Sequence, residues 1–207
     1  MIRIEVDFLI INYVLAGLVG VLLSGITIID FYKSDTTILR RVASVIINPL
    51  VMMIVCLFSV HYFGFTYRFI VYSMVAANLL YISNCDIREQ SVSIETIAVS
   101  VICALSVLFW NRDNVWWNYI LSGIGYTFVF MLVSRFSRNA IGQGDALIIG
   151  IIGLYLGFSH TFASLFFGLF LGGLFSIILF TMKKVSRHTP LPFAPFLTAG
   201  FIVSIIL

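Results

Sequence analysis

The amino-acid sequence predicts an all-α fold: a polytopic integral membrane bundle of about eight transmembrane helices, with residues 1–207 forming a single membrane-embedded domain. Three observations predict it. Hydrophobic residues make up 61% of the chain and charged residues only 10%, which leaves too little polar surface to cover a water-soluble globule. The apolar residues fall into runs near the roughly 20 residues that a helix needs to cross a bilayer. The Lys and Arg residues also sort between alternate loops, as the positive-inside rule requires of a multi-spanning chain.

The first run, about 8–29, follows the acidic Glu5 and Asp7 and is not succeeded by a small-residue cleavage site, so it reads as a retained helix and not a signal peptide. The second and third runs cover about 42–61 and 68–85, the third ending at Asp86. A fourth and a fifth follow at about 94–110 and 117–134. The sixth, about 145–159, opens on Asp145; the seventh and eighth are about 160–182 and 194–207. The sixth and eighth are short, so each is expected to begin in a partly unwound entry loop surrounded by protein. Gly150, Gly153 and Gly157 share a face next to that of Asp145 at 100° per residue, and with Gly168 and Gly172 they read as small-residue stripes for close helix packing.

Of the 12 basic residues, Lys33, Arg40, Arg41, Arg88, Arg135, Arg138, Lys183, Lys184 and Arg187 lie on one side, and Arg3, Arg68 and Arg112 on the other. The richer side is expected to be cytoplasmic, with both chain ends outside. This topology accounts for the net charge of +3 and gives no reason to expect a nucleic-acid partner. Cys56, Cys85 and Cys103 stand singly in apolar runs, without the pairing of a zinc site or disulfide framework. His188 could be proposed as a base but has no obvious nucleophile partner, and it reads as an ordinary loop residue, as do outward-facing His61 and His160.

The chemistry concentrates on two carboxylates. Asp86 sits in Tyr81-Ile82-Ser83-Asn84-Cys85-Asp86-Ile87-Arg88 and Asp145 in Ala140-Ile141-Gly142-Gln143-Gly144-Asp145, both at cytoplasmic helix ends. An ionised Asp inside a membrane helix costs roughly 2.5–3.5 kcal/mol on insertion scales, so such residues are functional candidates by default. Each also has a plainer reading: Asp86 as the solvated end of a helix, Asp145 as a complement to a helix macrodipole. Gly142 and Gly144 tip the balance, because residues without a Cβ can take positive φ and let a substrate backbone come close to Asp145. Two carboxylates brought within about 3 Å share a proton, so that one serves as base and the other as acid, with no metal or other cofactor.

These residues resemble the type IV prepilin peptidases, membrane aspartic proteases that include the archaeal preflagellin peptidases. Asp86-Ile87-Arg88-Glu89-Gln90-Ser91-Val92-Ser93 is similar to the segment of the family's first catalytic aspartate. Gly142-Gln143-Gly144-Asp145 matches its Gly-x-Gly-Asp signature, and Pro190-Leu191-Pro192-Phe193-Ala194-Pro195-Phe196-Leu197-Thr198-Ala199-Gly200 resembles the proline-rich start of its last helix. The resemblance implies an aspartic endopeptidase with Asp86 and Asp145 as catalytic residues and Gly142 and Gly144 in a substrate-access loop. It also implies a prepilin or pseudopilin substrate with a basic leader, a glycine and a hydrophobic helix, cut at the cytoplasmic face of the cell membrane. Glu89 and Glu95 are candidates to attract the leader's basic residues, against the plainer reading of a solvated loop.

Two departures stand out. Where the family has an Ile-Pro pair six and seven residues after the first Asp, this chain has Val92-Ser93, which puts the shape of that turn in question. The first cytoplasmic loop is only Phe31 to Arg41, without the cysteine-bearing domain that accompanies N-methylation in many bacterial members, so methylation is not expected. The alternatives are a presenilin-like or signal-peptide-peptidase-like protease and a proton-coupled transporter. The first would carry Tyr before the first Asp, where this chain has Cys85, and a Pro-Ala-Leu motif near its end. The second would show an inverted repeat and a carboxylate at the bilayer midplane, and neither is evident. The pilus or secretion system served, and the oligomeric state, are not written in the sequence.

Overall fold

A computed structural model of the protein describes residues 12–18, 20–22, 38–89, 92–110, 115–136, 142–182 and 191–206, with the side chains of all but 38–45, 89 and 110. Arg3, Lys33, Arg112, Arg138, Lys183, Lys184, Arg187, His188 and Pro190 therefore lie outside the described residues, as do the side chains of Arg40, Arg41 and Glu89. The described secondary structure is helical throughout: α1 (Asn12–Leu22), α2 (Ile38–Phe63), α3 (Tyr67–Glu89), α4 (Ile94–Trp110), α5 (Trp116–Phe136), α6 (Gln143–Thr181) and α7 (Ala194–Ile206). Four elements are long and apolar enough to cross a membrane: Ile46–Phe63 within α2, Tyr67–Arg88 within α3, α5 and α6. α1, α4 and α7 are apolar but shorter.

The chain divides into two compact units, Met1–Tyr81 and Ile82–Leu207. In the first unit, α1 comes close to α2 at Gly20, where a Cβ would lie 3.0 Å from the Met52 backbone. α2 ends on Gly64, whose φ of 62° is the left-handed cap that glycine tolerates, with its N–H donating to the carbonyl of Val60 at 2.8 Å. The chain then turns at once into α3. Cys56 and Ser73 join α2 to α3 at 3.5 Å, and the rings of Phe63 and Tyr72 stack at 5.0 Å.

In the second unit, α5 and the start of α6 pack as antiparallel neighbours through small residues. A Cβ on Gly153 would meet the Gly123 backbone at 2.9 Å, and one on Gly150 would strike Thr127. In hydrocarbon, where apolar side chains gain nothing by leaving lipid, such close backbone approach is what drives helix association. The sequence placed these two glycines correctly as a packing face.

Gly157 has a different task. Its φ of 72° and ψ of −174° break α6, a conformation essentially restricted to glycine. A straight helix of 39 residues would be about 58 Å long, nearly twice the hydrocarbon thickness. The second limb instead runs back. Ser164 bonds Ser204 at 2.9 Å, Gly168 abuts Gly200 and Leu197, and Gly172 lies against the Phe196 ring, so this limb descends antiparallel to α7 one turn at a time. The boundary expected between the sixth and seventh spans, at Ser159 and His160, falls just past this break. Tyr126 donates to the freed carbonyl of Phe158 at 3.1 Å and stacks on its ring, compensating part of the interrupted helical ladder.

Candidate active site

The helix that carries Asp86 does not stop before it. α3 continues through Glu89, which places Asp86 inside the last turn and only 7% exposed. The reading of Asp86 as a solvated helix end is thereby overturned. A buried carboxylate needs hydrogen-bond donors, and one comes from the far end of the sequence: the backbone N–H of Ala194 donates to Asp86 Oδ2 at 3.0 Å.

The proline-rich entry to α7 explains why that donor is free. A helix begins with N–H groups that have no partner within it. At the start of α7, Pro195 has no N–H, and the amides of Phe196 and Leu197 turn back to the carbonyl of Phe193 at 3.1 and 3.2 Å. Ala194 is left, and it points to Asp86. One turn along, the hydroxyls of Ser83 and Thr198 meet at 2.7 Å, and Thr198 also donates to the carbonyl of Ala194 at 2.9 Å.

Asp145 occupies the first turn of α6, half-buried, with its N–H on the carbonyl of Gly142 at 3.1 Å. Its carboxylate lies near enough to Asp86 for the two charges to act on each other. The structure thus brings together the two carboxylates singled out from sequence. The expectation about the glycine backbone is corrected. Gly142 is extended (φ −62°, ψ 143°) at the helix N-cap, Gly144 is helical, and neither takes positive φ. The reason is local, since α6 starts two residues earlier than the hydropathy suggested and takes Gly144 into its first turn. Among the described residues, a Cβ on Gly144 would meet nothing within 4 Å.

Gln90 and Ser91 lie outside the described residues, and the start of α4 after them is defined. Ser93, standing where the resemblance leads one to expect proline, caps α4: its Oγ accepts from the N–H of Thr96 at 3.2 Å and bonds the Thr96 hydroxyl at 2.9 Å. Proline stabilises a helix start by presetting φ, and a serine cap achieves a comparable end by satisfying an orphan donor, worth about 1 kcal/mol. Glu95 is exposed in the first turn of the same helix. Cys85 is partly buried beside Asp86, and Cys56 and Cys103 lie in α2 and α4, all as free thiols.

Ser83, Ala194 and Thr198 escaped the sequence reading as site residues. A faint signal existed: Ser83 and Thr198 are hydroxyl residues one turn from Asp86 and Ala194 respectively. Nothing in one sequence pairs helices that lie more than a hundred residues apart.

Comparison with known proteins bears on the same stretch. The model of the type IV leader peptidase family matches residues 73–177, a span that contains both Asp86 and Asp145. A curated protein of Bacillus subtilis described as a prepilin leader peptidase/N-methyltransferase is 29% identical over 89 residues, 42% of this chain and 36% of that relative. The aligned region thus spans about a third of the relative's length. No solved structure matches the chain. With half of its length matched and the paired carboxylates inside the match, the chain belongs to the type IV leader peptidase family.

Proposed function

We propose that the chain is a prepilin leader peptidase, an aspartic-type endopeptidase working as a single membrane-embedded domain of about eight spans. One observation carries the reading: a buried Asp86, bonded to the start of α7, whose charge acts on Asp145 at the head of α6. In this reading one carboxylate works ionised and the other protonated, as acid-base cleavage by two aspartates requires. The ionised member takes a proton from water as the water oxygen attacks the peptide carbonyl. The protonated member hydrogen-bonds the carbonyl oxygen. Collapse of the tetrahedral intermediate breaks the C–N bond, with a proton delivered to the leaving nitrogen. No cofactor enters these steps.

The substrate is a prepilin or pseudopilin whose basic leader lies in the cytoplasm and whose hydrophobic helix lies in the bilayer. Exposed Glu95, with Glu89, attracts the leader, and Gly142 at the N-cap and Gly144 in the first turn of α6 give the substrate access to Asp145. The reading covers cleavage alone, without N-methylation, because Phe31 to Arg41 contains no cysteine. Co-expression with a prepilin tests it: the unmutated chain is expected to convert the precursor to the shortened form, whereas a proton-coupled transporter would leave the precursor intact.

Two further results are expected. Both termini lie outside the cell membrane and the dyad faces the cytoplasm, so Asn114→Cys should react with an impermeant thiol reagent in intact cells and Ser137→Cys only after permeabilisation. The reverse labelling would put the dyad on the wrong side for a cytoplasmic leader. At Gly144, alanine is the better helix former by about 0.5–1 kcal/mol and its methyl meets none of the described residues within 4 Å, so Gly144→Ala should not lower the melting temperature. Turnover should nonetheless fall, and fall further in Gly144→Val. Activity losses that merely follow the melting temperature would make Gly144 a structural residue.

A further inference from the structure

Asp86 and Ser83 are three residues apart and occupy one face of α3; Ala194 and Thr198 are four apart and occupy one face of α7. The contacts between them form two successive rungs, Ser83 with Thr198 at 2.7 Å and Asp86 with Ala194 at 3.0 Å. Thr198 closes the arrangement by donating to the carbonyl of Ala194, the residue whose amide holds Asp86. All four residues are buried: Ser83, Asp86, Ala194 and Thr198 are each 7% exposed or less.

We propose that the Ser83–Thr198 hydroxyl pair is a positioning brace that sets the height of α7 against α3, so that the Ala194 amide holds the Asp86 carboxylate in register with Asp145. The brace rests on the peptidase reading and deepens it, because it assigns to two hydroxyl side chains a part in cleavage.

A carboxylate on a short side chain can rotate, and one fixed donor on Oδ2 restricts that rotation while leaving the other oxygen for the reaction. The donor is a backbone amide, so only the placement of α7 can aim it. Two sets of contacts hold α7. Against the second limb of α6 it is seated by the Gly168–Gly200 approach and the Ser164–Ser204 bond. Against α3 it meets the two rungs. Loss of the Ser83–Thr198 rung therefore leaves α7 seated on α6 and releases only its registration on Asp86. Misplacement on the order of 1 Å costs catalysis up to about 100-fold, with little demand on folding. A side chain present only for packing behaves otherwise, since its removal lowers stability and activity together.

The full chain is purified in detergent, and cleavage of a purified prepilin is measured for Thr198→Val, Ser83→Ala, the double variant and Thr198→Ser. Valine keeps the shape of threonine and removes the hydroxyl; serine keeps the hydroxyl. Thr198→Val and Ser83→Ala are each expected to lower kcat by about 10- to 100-fold with KM within about twofold of the unmutated value. The double variant should be no worse than the poorer single one, because both remove the same bond. Thr198→Ser should restore kcat to within about threefold of the unmutated chain. An unchanged kcat in Thr198→Val, fully multiplicative losses in the double variant, or a loss in Thr198→Ser as deep as in Thr198→Val overturns the brace and leaves the peptidase reading standing. A melting temperature that falls in step with kcat in both single variants also overturns it. Absence of cleavage by the unmutated chain overturns the peptidase reading and the brace with it.

Discussion

Replacing either Asp86 or Asp145 with asparagine is expected to abolish prepilin cleavage while leaving the protein inserted and folded. Asparagine matches aspartate in shape and cannot give or take a proton at neutral pH, so it removes the acid-base step, which by itself contributes about 10²–10⁴-fold. The fold should tolerate the change at each position for a different reason. At position 86 the amide oxygen of asparagine still accepts the Ala194 N–H, so the link to α7 survives. At position 145 the substitution removes one of two interacting like charges. Cleavage by co-expressed variants, read together with their membrane levels, checks both statements. Near-normal processing by one variant removes that residue from catalysis, and activity in both ends the aspartic-protease reading.

Gly200→Ala is expected to be the most damaging single methyl group in the second unit. The added Cβ would strike the amide nitrogen and Cα of Gly168 and the carbonyl oxygen of Ser164. These are backbone atoms, which cannot rotate aside, so α7 must move away from the second limb of α6. Overpacking of this kind costs about 1–3 kcal/mol, and a rigid backbone contact lies at the upper end. For a chain of this size 3 kcal/mol lowers the melting temperature by about 6–12 °C. Gly173→Ala is the control: it is the same substitution in the same limb, and its Cβ meets nothing within 4 Å. That variant should melt at or slightly above the unmutated temperature. Prepilin turnover should fall with stability in Gly200→Ala, since α7 carries both Ala194 and Thr198. Equal melting temperatures for the two variants would mean that the helices do not approach so closely.

The helical class, the order of the apolar runs and the two carboxylates were legible without a structure, because each is written in neighbouring residues. Hydropathy over about 20 residues marks a helix that prefers lipid, and Gly142-Gln143-Gly144-Asp145 is four residues in a row. The limits of α4 and α5 came out within a residue or two, since those helices stop where the apolar composition stops. The Ser93 cap is equally local, reaching only three residues ahead to Thr96.

Only the tertiary structure decided the rest. Hydropathy placed the end of α3 at the first charge, yet the helix runs on through Asp86 and Glu89 because Asp86 is buried, with a hydrogen-bond donor from α7. It grouped Gly157 with the packing glycines, yet that residue turns α6 back on itself, because the second limb has its own partner in α7. It allowed Gly142 and Gly144 a positive φ, and α6 begins early enough to make one extended and the other helical. The bonds that hold Asp86 and Ser83 join residues 108 and 115 positions apart. Periodicity and motifs report what a segment prefers for itself. Which helix lies beside which, at what height, is set by close contacts such as Gly200 on Gly168, and those exist only once the chain has folded.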